Sequence, residues 1–461
     1  MTDDVAAIDG GPAAPAAGFR GWAVIWAGQF VSMLGSGITG FALAVYVYQT
    51  TDSATALGVI LALGLLPTTV AAPFAGSLVD RWGPRPTLLA ANVGNMLLTV
   101  AMAVLLLTDT FAVWHVYVIV VIGSVLGALE VPAVGTLTPR LVPRQHLGRA
   151  NGMRMTAMAA SQVLAPVTGG FLLHAIHLSG IVVLDAVSFG AAILTLLLVR
   201  VPHTRPEPAA GAKTSLLAEF REGWHYVAAR RGLLALLVFL ASVNFSAGFI
   251  ELLLNPLVLA FAAPAGLGMV LSIGGLGMII AGVAVSIWGG PRRRIPGLLA
   301  FSLVLAVATI AGAARPEVTL VAVAAFVGMG ALVVIATIQQ GIWQTKVEPR
   351  LMGRVMALVS MVGLVPQLVA NVLAGVAVDR VFEPWVGRDE VRSPILAGLV
   401  GDGPGRGIAL LMMLVGVLVA VTVGGAALSR RLRHLEQDLP DADDAAVPPP
   451  QDATPAPARS Q

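Results

Sequence analysis

The chain has 461 residues, 57% of them hydrophobic and only 11% charged, with a mean hydropathy of +0.86. A soluble domain carries roughly 25% charged residues, so water is not the main solvent of this molecule. The formal net charge is +3, but the 28 Lys and Arg are parcelled among loops instead of gathered on a helix face, which argues against a nucleic-acid partner; the absence of cysteine excludes disulfides, thiolate metal sites and a thiol nucleophile.

Residues 1–20 form a charged, Ala/Pro-rich tail without the n-region and h-region of a cleavable signal, so the apolar run that follows reads as a retained helix. Crossing the hydrocarbon core takes about 20 apolar residues. Runs of that kind lie near 22–49, 54–79, 87–108, 114–138, 152–174, 179–200, 232–261, 266–290, 297–314, 318–344, 355–379 and 406–428. Lipid offers the backbone no hydrogen-bond partners, so such runs are helices, and the short alternating segments of a barrel are missing. The expected fold class is therefore all-α: a polytopic membrane protein with twelve transmembrane helices in two six-helix bundles, 21–200 and 232–428. A linker at 201–231 joins them, and a tail at 429–461 follows. Within the linker, apolar residues at 216, 217, 220, 224 and 227 share one helical face, as in a helix lying on the membrane surface. The stretch 381–405 reads as a mobile loop, and the Pro- and Asp-rich end from about 436 as disordered.

Base-rich connections alternate with base-poor ones. One set holds Arg81 and Arg85; Arg140, Arg144 and Arg149; Arg292, Arg293 and Arg294; Lys346, Arg350 and Arg354; the short connections of the other offer Asp52, Asp109 and Glu317 and almost no base except Arg315. The positive-inside rule converts this contrast into cytoplasmic N- and C-termini in a cell membrane. Trp22, Trp26, Trp114, Trp288 and Trp343 fall at segment ends and are expected to anchor in the headgroup layer. The halves also share a weak repeat: Gly148, Arg149, Gln162 and Gly170 recur at one constant offset as Gly353, Arg354, Gln367 and Gly375. Such two-fold repetition is typical of secondary transporters.

The first basic turn reads Gly76-Ser-Leu78-Val-Asp80-Arg81-Trp-Gly83-Pro-Arg85. It resembles the loop signature between the second and third helices of the major facilitator superfamily, with Pro84 in place of a usual basic residue. The resemblance implies a conformational latch: Gly76 for close helix approach, Gly83 for a tight turn, Asp80 facing basic groups or a helix N-terminus of the other half, and Arg81 and Arg85 biasing the gate. Gln29-Phe30-Val-Ser32-Met-Leu34-Gly35-Ser36, Leu141-Val-Pro143 with Ala150-Asn151-Gly152, and Leu184-Asp185-Ala186-Val187-Ser188-Phe189 resemble the drug-exporting branch that holds macrolide-efflux-type proton antiporters. Ala165-Pro166-Val-Thr-Gly169-Gly170 resembles the antiporter motif of the fifth helix, with Ala165 in its first Gly position. There Pro166 removes a backbone donor, and Gly169 and Gly170 let a neighbouring helix approach.

Intramembrane acids are the main chemical clue, because a charge at mid-depth costs at least about 2.5 kcal/mol. Glu130 and Glu251 are the deepest, and Asp185 lies nearer the outer surface. Each is a candidate for proton coupling or substrate contact, or else for a helix-helix hydrogen bond. Gln29, Asn244, Gln162 and Gln340, with Gln339 and Gln367, are candidates for a polar cavity lining or for interhelical bonds. His174 and His177 read as surface residues, and Met153, Met155 and Met158 as packing. Gly35-Ser-Gly37-Ile-Thr-Gly40 spells a dinucleotide fingerprint but lies inside a membrane helix, where close packing explains it. Without a catalytic constellation, no enzyme activity, cofactor or metal is expected.

These features together imply a major facilitator-type secondary transporter that exports an amphipathic organic compound in exchange for protons, with protons, a small molecule and lipid as partners and a monomeric state. A uniporter or importer of a siderophore or lipid-like cargo is the alternative, and a non-transporting receptor a further one.

Overall fold

The computed structural model describes residues 18–199, 216–348, 351–386, 401 and 403–438, and every regular element among them is helical. The principal helices are α1 (Gly18–Thr51), α2 (Ala54–Trp82), α3 (Pro84–Leu107), α4 (Val113–Leu141), α5 (Leu147–Leu198), α6 (Leu216–Ala229), α7 (Arg231–Leu259), α8 (Pro264–Trp288), α9 (Arg294–Ala313), α10 (Val318–Lys346), α11 (Met352–Ala377), α12 (Glu383–Val386) and α13 (Arg406–Leu428). Eleven of them are long and apolar enough to cross a membrane. One of the eleven, α5, has 52 residues and turns back at His177, where φ is 57° and ψ 179°. A straight helix of that length would extend roughly 78 Å, far beyond a hydrocarbon core of about 30 Å. Its two limbs are two crossings, which brings the passes to the expected twelve.

Local chemistry sets the boundaries. Ser53 caps α2 by accepting from the Ala56 amide at 3.1 Å. Gly83, with φ of 87°, makes the sharp turn into α3, whose first residue is Pro84. At its far end α11 does not stop near 379 as expected; a wider turn at Val378–Phe382 carries it into α12. Most of the expected loop at 381–405, the expected disordered end beyond 438 and residues 1–17 lie outside the described residues.

Helices α1 to α5 form one bundle and α7 to α13 the other. Separate apolar clusters fill each, one around Leu88, Leu137 and Leu196, another around Leu236, Ile338 and Trp343. A further cluster joins the two, uniting Phe41, Val45 and Leu57 with Leu252, Val258 and Ala374. The expected aromatic anchors divide. Trp114 and Trp288 are exposed, but Trp343 is fully buried and Trp22 is buried with Nε1 donating to Thr138 Oγ1 at 3.2 Å. Both rings sit inside because α1 and α10 run past the apolar segment ends and turn these faces toward neighbouring helices. The linker helix α6 docks on the second bundle: Glu222 meets Arg354 at 2.6 Å, Arg230 meets Glu348 at 3.4 Å, and Val227 is buried while Trp224 stays exposed. Side chains of its expected apolar face at 216, 217 and 220 lie outside the described residues.

Candidate functional site

The bundles touch at one end and part at the other. Where α5 crosses α8, a Cβ on Gly170 would come 2.9 Å from the Pro264 carbonyl, one on Gly275 would come 2.8 Å from Val163, and Ser272 Oγ donates to the Val163 carbonyl at 2.5 Å. Where α11 crosses α2, a Cβ on Gly375 would lie 2.5 Å from Thr55 Cα, and Gly58 abuts the Asn371 carbonyl. Asp379 locks this end: it accepts from Ser53 Oγ at 2.7 Å, the Ala54 amide at 3.0 Å and the Thr55 amide at 2.9 Å. A carboxylate on the first free amides of α2 is favourable both as a hydrogen-bond acceptor and toward the helix dipole. Toward the base-rich end the same helices diverge. Gly76, Gly152 and Gly353 have nothing within 4 Å of where a Cβ would stand, and Met155, Met158 and Met361 are exposed.

Inside the first bundle a cavity of about 650 Å³ is walled by α1 to α5. Glu130 and Asp185 both line it, with Gln29, Asn95 and Arg154. Asn95 Nδ2 donates to Glu130 Oε1 at 3.2 Å. Asp185 is only 3% exposed and accepts from Ser36 Oγ at 3.2 Å, with Ser188 Oγ 3.3 Å from the same oxygen. Gln29 Nε2 and Trp26 Nε1, also in this wall, are buried without a hydrogen-bond partner among the described residues. Each unmet donor costs about 1–3 kcal/mol. A second cavity, of about 550 Å³, lies where the bundles meet and holds Glu251 with Gln162, Pro166 and Gln367. There Gln367 Nε2 donates to Glu251 Oε2 at 2.8 Å, joining α11 to α7. The acids thus occupy two cavities, Glu130 and Asp185 in one and Glu251 in the other.

Other candidates fall elsewhere. Asn244 Nδ2 donates to the Leu240 carbonyl of its own helix at 2.8 Å and lines neither cavity. Gln340 lines a separate pocket beside Arg294 near the base-rich end. Gly76, expected at a close helix approach, faces open space, and Asp80 and Arg81 are exposed with no bond to any described residue. Arg85 instead reaches the last turn of α5, its guanidinium donating to the Leu196 carbonyl at 3.0 Å and the Leu197 carbonyl at 3.2 Å. Gly169 packs on the Phe41 ring and Gly170 on the start of α8. Arg154, Asn95 and Asp379 are not among the residues expected from sequence. An Arg seven residues into an apolar helix was the available signal for the first; nothing local marks the other two.

Comparison with known proteins follows the same lines. The sequence profile of the Major Facilitator Superfamily matches residues 25–371. Macrolide efflux protein A of Streptococcus pyogenes is 26% identical over 368 residues, 77% of this chain and 89% of the relative. Enterobactin exporter EntS of Citrobacter koseri is 25% identical over 197 residues, 43% of this chain and 47% of the relative. Among solved structures, a bacterial homolog of the human lysosomal transporter Spinster superposes with a TM-score of 0.64 at 14% identity, covering 89% of this chain and 96% of that one.

Proposed function

The chain belongs to the major facilitator superfamily and is a multi-pass membrane transporter of a small-molecule substrate, not an enzyme, and from that premise we propose that it exports an amphipathic organic compound in exchange for protons. The observation that carries this reading is the large, mostly apolar cavity of the first bundle with Glu130 on its wall. Apolar walls suit the body of an amphipathic compound, and a few polar groups orient it. Glu130 is eleven residues from the base-rich end of α4, so at 1.5 Å per residue it stands roughly 16 Å deep. At that depth a carboxyl that exchanges its proton as the bundles rock is a coupling device. Export, and not uptake, is supported by similarity to a macrolide efflux protein along most of the chain. In this reading the base-rich end is cytoplasmic, the membrane is the cell membrane, and the bundle pair works as a monomer among lipids.

Replacing Glu130→Gln removes the exchangeable proton while keeping a partner for Asn95. In proteoliposomes under an imposed pH gradient, this variant is expected to lose gradient-driven export by at least about tenfold while inserting normally. Transport equal to the parent's overturns the assignment. A siderophore-type cargo is the second reading, favoured by the similarity to an enterobactin exporter. Accumulation in inverted vesicles, and its collapse by an uncoupler, separates coupled export from facilitated uptake of either cargo.

A further inference from the structure

Resting on the export reading, we propose that the cavity of the first bundle selects aromatic compounds bearing an acceptor oxygen such as a carboxylate or phenolate, with Arg154 as the charge partner and Trp26 and Gln29 as donors. One face of α1 supplies the wall: Trp22, Trp26, Gln29, Phe30, Met33 and Ser36 recur at the helical period and all line the cavity. Its rings are ordered, with Trp26 and Phe30 at 5.9 Å between centroids and 6° between planes, and Trp22 and Trp26 at 6.3 Å and 21°. Such a wall presents an aromatic surface to a flat ligand.

The polar demand of the wall has a sign. Glu130 and Asp185 each accept from neighbours, Asn95 in one case and Ser36 in the other. Arg154, half-buried in the same wall, makes no hydrogen bond or ion pair with any described residue. Trp26 Nε1 and Gln29 Nε2 likewise lack acceptors. Three donors without partners, one of them a guanidinium fork suited to two oxygens, call for oxygen acceptors from outside the protein. Their heights are compatible with one ligand. Arg154 is seven residues into α5 and Gln29 eleven into α1, roughly 10 Å and 16 Å from the same end, a separation that a two-ring compound spans. An ammonium compound of the same size would leave all three donors unmet.

The test uses the full chain in lipid nanodiscs and a matched pair of probes, 2-naphthoate and 2-naphthylmethylammonium, with binding read by calorimetry. Naphthoate is expected to bind about tenfold or more tightly than the ammonium. Arg154→Gln erases the preference, Arg154→Lys retains part of it, and Trp26→Phe, which keeps a ring but deletes the N–H, weakens naphthoate several-fold. Equal or tighter binding of the ammonium, no binding of either probe, or an Arg154→Gln protein that binds naphthoate as the parent does overturns the proposal. Should Arg154→Gln fail to fold, Trp26→Phe together with Gln29→Ala decides: naphthoate affinity unchanged in both overturns it. Proton-driven movement of the cationic dye ethidium is measured separately. Coupled ethidium export without a naphthoate preference sinks this inference and leaves export standing. Arg154-dependent naphthoate binding with no gradient-driven transport of either compound does the reverse.

Discussion

Asp185 and Glu130 line the same cavity in different surroundings. Asp185 is 3% exposed and ties α1 to the second limb of α5 through Ser36, and a Cβ on Gly35 would come 2.9 Å from its Oδ1. Removing an acceptor buried this way strands its donors, a loss of about 1–3 kcal/mol. Asp185→Leu is therefore expected to lower the thermal unfolding midpoint measurably, while Glu130→Gln, which keeps Asn95 partnered, leaves it close to the parent's. Tryptophan-fluorescence melts of the two purified variants check this, and equal destabilisation would remove the distinction. Both acids were visible in the sequence, because a carboxylate in a run of apolar residues stands out. Their partners were not, since Ser36 lies 149 residues from Asp185 and serines inside membrane helices are common. The same packing accounts for two glycines of the spurious dinucleotide fingerprint: Gly35 abuts Ser188, and Gly37 abuts Ala165.

Between elements, the decisive contact is α11 on α2. The chain has no cysteine, so paired spin labels can be placed without background, for example at Thr50→Cys and Trp385→Cys on opposite bundles. Asp379→Ala removes three hydrogen bonds to the start of α2. A charge-assisted contact of this kind contributes about 1.5–3 kcal/mol, so the variant is expected to shift roughly tenfold toward states with this end open, seen as a longer spin-spin distance. An unchanged distance distribution counts against the clasp. Gly375→Val drives a side chain into the Ala54 and Thr55 backbone and is expected to shift the distribution the same way. Asp379 binds the start of α2 at the end opposite Asp80 and Arg81, which are exposed.

At the scale of the whole molecule, the weak repeat becomes a working symmetry. Gly170 of α5 packs on the start of α8, and Gly375 of α11 packs on the start of α2, so each half's fifth crossing meets the other half's second. Gln162 and Gln367 line one cavity between the halves, while Gly148 and Gly353 both face open space. With the base-rich end cytoplasmic, a membrane-impermeant maleimide is expected to label Gly353→Cys in inverted vesicles and not in intact cells. Labelling of intact cells would reverse the orientation.

Composition and periodicity by themselves determined that the chain is helical, embedded in lipid and built of twelve passes, because a backbone in hydrocarbon has few ways to satisfy its hydrogen bonds. Local motifs also marked the turn at Gly83 and the acids within the membrane. Which acids share a cavity, that Arg154 stands among them without a partner among the described residues, and that Asp379 closes one end were decided only by tertiary structure. Those facts depend on which face of each helix turns inward and against whom, and in lipid the inward and outward faces are almost equally apolar.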